Sequence, residues 1–234
     1  MSFLFFPRYI SGSVAWCTCR LVDTICRINT NARKTSFWML THLMRNPAYL
    51  AAFRAETAPA FRGDELVDVS HIQDAVKCPQ VDAIWHETLR VAGWAASVRL
   101  VKKDVIIGGK LMRKGNRVMV PHRLLHFDET VFGDDITSWR PQRWLDEAGR
   151  KLPSSPSWRP FGGGKTKCSG RFLAKFIVTA FVATLLRRFD IEMVGNPPMP
   201  QADVGRPVLG IISVKEGQDY LVSITKRKED QTQI

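Results

Sequence analysis

The sequence predicts a mainly α protein with small β-sheets, and three observations lead to that fold class. Apolar residues recur at helical spacing around positions 37–44 and 81–89. The apolar stretch 172–189 is long enough for a further helix and is apolar on nearly all sides, which predicts a largely buried helix. Short β-rich segments bounded by glycine or proline lie between residues 97 and 121 and again near the C-terminus.

Composition describes an ordinary globular protein with a basic surface. The chain has 234 residues, of which 45% are hydrophobic and 24% charged, and its net charge is +12. Such a charge suits nucleic acid, an anionic membrane or an acidic protein. Because the basic residues are dispersed and no nucleic-acid-binding motif occurs, we expect no nucleic-acid partner. Five cysteines without zinc-like spacing argue against a disulfide framework and favour a reducing compartment.

The N-terminal segment, residues 1–28, carries the weakest structural signal. Its apolar start is interrupted by Pro7 and Arg8, and charged residues at positions 20, 23 and 27 exclude an uninterrupted membrane-length span. We therefore predict no transmembrane anchor and no signal peptide in this chain. The segment is expected to be poorly defined, with an amphipathic surface helix as the alternative. The main domain is assigned to residues 29–227, and residues 228–234 form a polar tail.

Two helices can be placed from their boundaries and periodicity. The first is expected to begin at Asn29 and to end before Asn46 and Pro47, which suit the N-cap and first position of the next helix. A later helix buries one apolar stripe. Glu87 and Arg90 lie on another side of it, three residues apart, so they are neighbours. A solvent-exposed ion pair is one interpretation of that pair. The stripe consists of Val81, Ile84, Trp85, Thr88 and Leu89.

Strand signals follow in two groups. Segments 97–101, 104–107 and 117–121 are β-rich, with Gly108 and Gly109 marking a turn. Near the C-terminus, segments 208–212 and 220–224 flank a short polar turn, which predicts an antiparallel hairpin.

The most informative stretch is RPFGGGKTKCSGRF, residues 159–172. Three consecutive glycines let the backbone approach another surface closely. Cys168 comes just before the start of the apolar helix, where free N–H groups and the helix dipole favour a thiolate. This arrangement suits coordination of a metal inside a flat cofactor. A phosphate-binding P-loop is excluded, because Arg159 stands where that motif needs glycine. A buried structural cysteine beside a glycine turn is the remaining alternative.

The full pattern F-G-x-G-x-x-x-C-x-G resembles the haem-ligand loop of the cytochromes P-450, the haem-thiolate monooxygenases. The resemblance implies that haem is the cofactor and that Cys168 is its axial iron ligand. Thr166 and Ser169 depart from the commonest family residues. The motif residues assigned to cofactor binding are Phe161, Gly162, Gly164, Cys168 and Gly170.

Two further segments resemble landmarks of the same family, in the same order. ETLR, residues 87–90, resembles its E-x-x-R helix, and WRPQRW, residues 139–144, resembles its P-x-R segment. This implies a buried structural network of Glu87, Arg90 and Arg143. Arg99 on the first strand and His126 in the H-x-D turn are implied to approach the haem propionates, with a solvated edge-strand arginine as the alternative for Arg99.

The segment TNARKTSFW, residues 30–38, resembles the distal helix of the family. The nearest branch in resemblance contains the bile-acid and oxysterol 7α-hydroxylases and prostacyclin synthase. Asn31 and Ala32 take the places where most members carry an acid and a threonine for proton delivery. Ala32 cannot relay a proton. Either Thr30 or water substitutes, or the chemistry is not ordinary hydroxylation.

The resemblance thus implies the back half of a cytochrome P-450 fold. It implies a monooxygenase that oxidises a lipophilic small molecule, using O2 and electrons from an acidic NADPH-dependent flavoprotein reductase. It also implies association with the cytosolic face of the endoplasmic reticulum membrane. A reductase docking patch is expected at Lys165, Lys167, Arg171 and Lys175. Two alternatives stay open: a reductase-independent haem-thiolate isomerase, and a fragment that is inactive because it is truncated.

Overall fold

Helices carry most of the buried apolar surface of this protein. The computed structural model describes residues 18–165, 167–206, 208 and 210–227, with side chains from Thr30 onward. Helix α1 packs against α2, α4 and α7, and α2 also contacts α4 and α7. The longer helices are α1 (Thr18–Arg45), α2 (Pro47–Thr57), α4 (Pro79–Ala92) and α7 (Arg171–Arg188), and the shorter ones are α3 (Val69–Gln73), α5 (His122–His126) and α6 (Glu129–Phe132).

Helix α1 begins at Thr18, earlier than the predicted start at Asn29. No proline or glycine occurs between residues 18 and 45, so nothing in the chain terminates the helix there. The rest of the weakly defined segment, residues 1–17, lies outside the described residues. Asn46 occupies the predicted N-cap position of α2, but its side chain donates to the carbonyl oxygen of His42 and does not cap. Among the described residues, no helix has the length and apolar character needed to span a membrane.

Helix α4 confirms the predicted stripe. Its apolar and threonine positions are buried, and Glu87 and Arg90 are buried completely as well. The interpretation of Glu87 and Arg90 as an exposed ion pair is therefore wrong. Both sides of the helix are covered, because the segment around residues 141–144 packs across the side that carries the charges.

Helix α7 contradicts the prediction of a largely buried helix. One side of the helix buries Val178, Val182 and Leu186. Large apolar side chains from its first turn to Phe181 are exposed on another side, to 73% in the case of Phe172. Apolar character on all sides shows that a helix can be buried, but the elements packed beside it determine how much is covered. We call the exposed part the α7 apolar face: Phe172, Leu173, Phe176, Ile177 and Phe181.

The sheets are small and antiparallel. Strand β1 (Phe61–Arg62) pairs with β2 (Glu65–Leu66), β3 (Ala96–Leu100) with β6 (Arg117–Pro121), and β4 (Val105–Ile107) with β5 (Lys110–Met112). Gly108 and Gly109 form the β4–β5 turn with φ of +56° and +75°, a geometry that favours glycine at both positions. The three strands predicted between residues 97 and 121 are confirmed.

The predicted C-terminal hairpin is wrong. Strand β8 (Val222–Lys226) pairs with β7 (Phe189–Met193), which directly follows α7. The described part of segment 208–212 lies instead against α4 and α1. The Ile212 N–H donates to the Ala92 carbonyl at 2.9 Å, and the Trp38 indole donates to the Ile212 carbonyl at 2.9 Å. These backbone groups are therefore taken by helix contacts and do not enter a strand ladder.

Candidate functional site

A cavity of about 430 Å³ brings the cysteine loop, the first helix and the β3 strand together. We call it the first cavity. Apolar side chains such as Trp85, Leu89 and Ile177 form much of its wall. The predicted site residues that line it are Asn31, Ala32, Arg99, Phe161, Gly162, Cys168 and Gly170. Two of the predicted residues, Gly164 and His126, are not among its lining residues.

The loop before α7 presents the sulfur of Cys168 to this cavity. The Cys168 N–H donates to the Phe161 carbonyl at 2.9 Å, which closes the loop, and the Phe161 ring stacks on Trp85 with 6.3 Å between centroids. Gly162 has φ of +83°, where a side chain would be strained. A Cβ added at Gly170 would stand 4.0 Å from the cysteine sulfur. The glycines therefore leave the space beside the thiol open.

Helix α1 supplies another wall, in which Asn31 has a structural task. Its Oδ1 accepts a hydrogen bond from the Ile211 N–H at 3.1 Å. A Cβ at Gly210 would lie 2.6 Å from the same oxygen, so this close approach requires glycine. The neighbouring Ala32 contributes only a methyl group. The hydroxyl of Thr35, which also lines the cavity, donates to the Asn31 carbonyl at 2.8 Å.

The β3 side of the cavity carries the polar groups. Arg99 and Ser97 line it, and Ser97 Oγ lies 2.8 Å from Nε2 of His122, which lines it too. Burial, and then the positive charges of Arg159 and Arg99, lower the pKa of His122. No motif in the sequence marks His122 as a site residue. Its position directly after β6, the strand paired with β3, was the only sequence signal for it.

His126 lies outside the lining of the first cavity, and its approach to a haem propionate stays a prediction. Its side chain is fully buried, Nε2 accepts from the Arg159 N–H at 3.1 Å, and the ring lies 4.7 Å from that of Trp158. Burial, followed by the charges of His122, Arg90 and Arg123, lowers the pKa of His126 to about 3. His126 is therefore a neutral core residue that holds the start of the cysteine loop. Because α5 turns the chain, the histidine that reaches the cavity is the one four residues earlier.

The structure brings Glu87, Arg90 and Arg143 together in one buried cluster, which we call the Glu87 network. The Glu87 carboxylate accepts from Arg90 Nη2 at 2.8 Å and from Arg143 Nε at 3.1 Å. It also accepts from the Trp144 indole at 2.8 Å and the Arg140 N–H at 2.9 Å. These donors satisfy the hydrogen-bonding capacity of both carboxylate oxygens.

The basic residues near the cysteine divide into two groups. Lys165 and Lys167 are exposed. Lys175 is committed to an ion pair with Asp82, with 2.6 Å between Nζ and Oδ1. Burial alone would raise the pKa of Asp82, but the hydrogen bond and charge of His86 and the charge of Lys175 outweigh it and lower the pKa to about 2. Arg171 donates to the Cys168 carbonyl and lies over the Phe172 ring. Thr166 lies outside the described residues.

A family model described as cytochrome P-450 matches residues 31–215. The chain belongs to the cytochrome P-450 family. It is 36% identical over 175 residues to a self-sufficient cytochrome P-450 monooxygenase of Exserohilum turcicum, covering 72% of this chain and 16% of the relative. It is 30% identical over 182 residues to another of Oidiodendron maius, covering 77% of this chain and 16% of that one.

A match to a mammalian family member is weaker. Cytochrome P-450 7A1 of Rattus norvegicus is 27% identical over 205 residues, covering 76% of this chain and 40% of the relative. The chain therefore spans less than half the length of each of these curated relatives. Family membership is shown, and the residues of the first cavity fit haem: a thiol, glycines beside it, apolar walls, and an arginine for an acidic group.

Proposed function

We propose that this chain is the haem-binding part of a monooxygenase that oxidises a lipophilic small molecule. The observation that carries the proposal is the convergence of Cys168, glycines 162 and 170, and Ala32 of α1 on one mainly apolar cavity. When bound there, haem supplies the iron that activates O2. Its electrons would come from an acidic NADPH-dependent flavoprotein reductase.

Each cavity residue has a distinct task in this proposal. Cys168 provides an anionic sulfur ligand. Arg99 offers a bidentate partner to an acidic group of the cofactor. Phe161, stacked on Trp85, gives one side of the site an aromatic wall. Leu173 and Ile177 add apolar surface, which favours a lipophilic substrate.

Proton delivery is the step to which the α1 side chains contribute least. Ala32 has no proton to give, and Asn31 Oδ1 is already engaged by the Ile211 N–H. The hydroxyl hydrogen of Thr35 is directed to the Asn31 carbonyl. Water has to carry protons along this wall. The same arrangement favours a second candidate, a reductase-independent isomerase that acts on a peroxide substrate and needs no external proton supply.

The finer assignments rest on resemblance. We infer a sterol-like substrate and the 7α-hydroxylase and prostacyclin synthase-like branch from the segment at residues 30–38. Association with the cytosolic face of the endoplasmic reticulum membrane is proposed on the same ground. Lys165 and Lys167 remain the candidates for docking an acidic reductase, because Lys175 is paired with Asp82.

The haem proposal is tested by adding haemin to the purified chain, reducing it and adding carbon monoxide. A strongly red-shifted Soret band, as thiolate ligation gives, is the expected result. Cys168→Ser removes the thiolate and should abolish that band. Cys78→Ser is the matched control, because Cys78 is the other described free cysteine and is buried away from the first cavity. A band that survives in Cys168→Ser contradicts the proposal.

Turnover assays separate the candidate activities. A monooxygenase should consume O2 and require NADPH with reductase, whereas an isomerase should turn over a peroxide substrate without either. The thiolate band without any turnover would fit a chain that binds haem but is inactive alone. No band in any preparation would favour the interpretation of a non-functional fragment.

A further inference from the structure

A second cavity, separate from the first, lies between α1, the C-terminal end of α4 and residues 199–202. Its volume is about 380 Å³, within the range of small-molecule sites, and it shares no lining residue with the first cavity. Much of its wall is aromatic or aliphatic, with Trp38, Phe127, Trp139, Met199 and Ile212 among its lining residues.

One cation lines this cavity and has no anionic partner in the part of the chain that the structure describes. The Arg123 guanidinium lies 3.9 Å from the centre of the Phe127 ring and 4.1 Å from that of Trp94. Its only hydrogen bond among the described residues is a long one, 3.4 Å, to the Val91 carbonyl. A guanidinium has five N–H donors, so most of its capacity is unused.

Burial makes the lack of an anion costly for Arg123. Arg90 approaches the same Phe127 ring at 5.1 Å, but it is itself paired with Glu87. Burial, and then the charge of Arg90, lower the pKa of Arg123. A bound anion would relieve this penalty.

A buried polar side chain in the same cavity also lacks a hydrogen-bond partner. His42 is 9% exposed, and its ring stacks flat on Trp139, with 4.7 Å between centroids and 2° between planes. Within the described residues, neither ring nitrogen makes a hydrogen bond. Burial and the charge of Arg45 lower the pKa of His42 to about 3, so the imidazole is neutral and keeps one N–H donor.

We propose that the second cavity is a binding site for a small amphipathic carboxylate. The carboxylate pairs bidentately with Arg123, as guanidinium geometry favours, and accepts a hydrogen bond from His42. The flat apolar body of the ligand packs between the aromatic walls formed by Trp38 and Trp139. The net charge of +12 further attracts an anion to this surface.

The test uses 2-naphthoate as the probe and the full chain, with binding followed by isothermal titration calorimetry. We expect saturable binding to one site, and weaker binding of the isosteric neutral 2-naphthamide. Because a hydrogen-bonded charge is lost, Arg123→Gln should weaken naphthoate binding about 10- to 100-fold. His42→Phe keeps the stack on Trp139 and should weaken it about 3- to 10-fold, as expected for one hydrogen bond.

Two controls keep the proposal falsifiable. Arg99→Gln removes the arginine of the first cavity and should leave naphthoate binding unchanged, as should saturation with haemin. If Arg123→Gln does not fold, Arg123→Lys retains the charge without the planar fork and should still weaken binding about tenfold. Equal binding of naphthoate and naphthamide, no loss in the Arg123 variants, or displacement by haemin would overturn the proposal.

Discussion

The Glu87 network and the α7 apolar face differ in how well the described residues cover them. A buried charge is costly without a partner, and a large apolar side chain is costly in water, but only the Glu87 network is enclosed. The Glu87 carboxylate is buried and every hydrogen bond offered to it comes from a neighbour on α4 or the segment 140–144. Phe172, at the start of α7, is 73% exposed. The described residues therefore enclose the Glu87 network by themselves, whereas they leave the apolar side chains near Cys168 exposed.

The largest expected effect tests the enclosed region. Glu87→Gln removes the negative charge, which leaves Arg90 without an anionic partner among the described residues and Arg143 with Asp135 alone. This loss should lower the free energy of unfolding by about 3–5 kcal/mol. Urea denaturation followed by circular dichroism measures the change. Glu216→Gln, which breaks an exposed pair with Arg206, should have little effect. A comparably small loss in Glu87→Gln would show that the network is not the stabilising unit we describe.

A pair of variants on one helix tests the contrast directly. Leu186 is 1% exposed in the second half of α7, and Leu186→Ala should destabilise the chain by about 2–5 kcal/mol. Phe172→Ala, on the exposed side, should change the free energy of unfolding by about 0.5 kcal/mol or less. Equal losses in urea denaturation would mean that the first half of α7 is covered in solution.

The helix α4 pattern shows what sequence alone determines well. The stripe at 3.6-residue spacing matches the observed burial, since α1, α2 and the segment 141–144 enclose α4. The α7 sequence is equally apolar, but its exposure depends on which elements pack beside it. The cysteine loop was recognisable because its chemistry is concentrated in residues 161–170, where four glycines shape the backbone and one cysteine supplies the thiol.

The sequence does not predict which distant strands pair or which side chains line a cavity. The predicted partner of β8 was segment 208–212, but the backbone of Ile212 is taken by its hydrogen bonds to α4 and α1. His122 and His126 differ by one helical turn of α5. That turn decides which imidazole reaches the first cavity and which is buried beside Trp158. Neither the pairing of β8 nor the placement of the two histidines depends on local secondary-structure propensity.

Acid should weaken the enclosed core through its neutral histidines. The folded pKa of His42 and of His126 is about 3 against an ordinary 6.5. The unfolded chain therefore binds these protons first. The histidine contribution to stability falls as the pH drops below about 6.5 and levels off near 3. Each histidine should cost about 2 kcal/mol between pH 7 and pH 5.

Measuring the free energy of unfolding in urea at several pH values checks this dependence. His42→Phe should remove about half of the combined loss, because one of the two titrating groups is gone. Thr41→Val, which changes the adjacent position on α1 without a titratable group, should shift stability equally at every pH. An unchanged pH slope in His42→Phe would contradict the assignment.

The smallest expected effect lies on the open side, at Asn31. Its Oδ1 holds the Ile211 N–H as Glu87 holds its partners, but with one neutral hydrogen bond beside a cavity that water can enter. Asn31→Ala should therefore cost only about 1 kcal/mol in urea denaturation. Asn31→Asp retains an acceptor oxygen and should cost less. A loss in Asn31→Ala as large as that in Glu87→Gln would mean that the cavity wall contributes to stability as much as the buried network, and the contrast between the two regions would not hold.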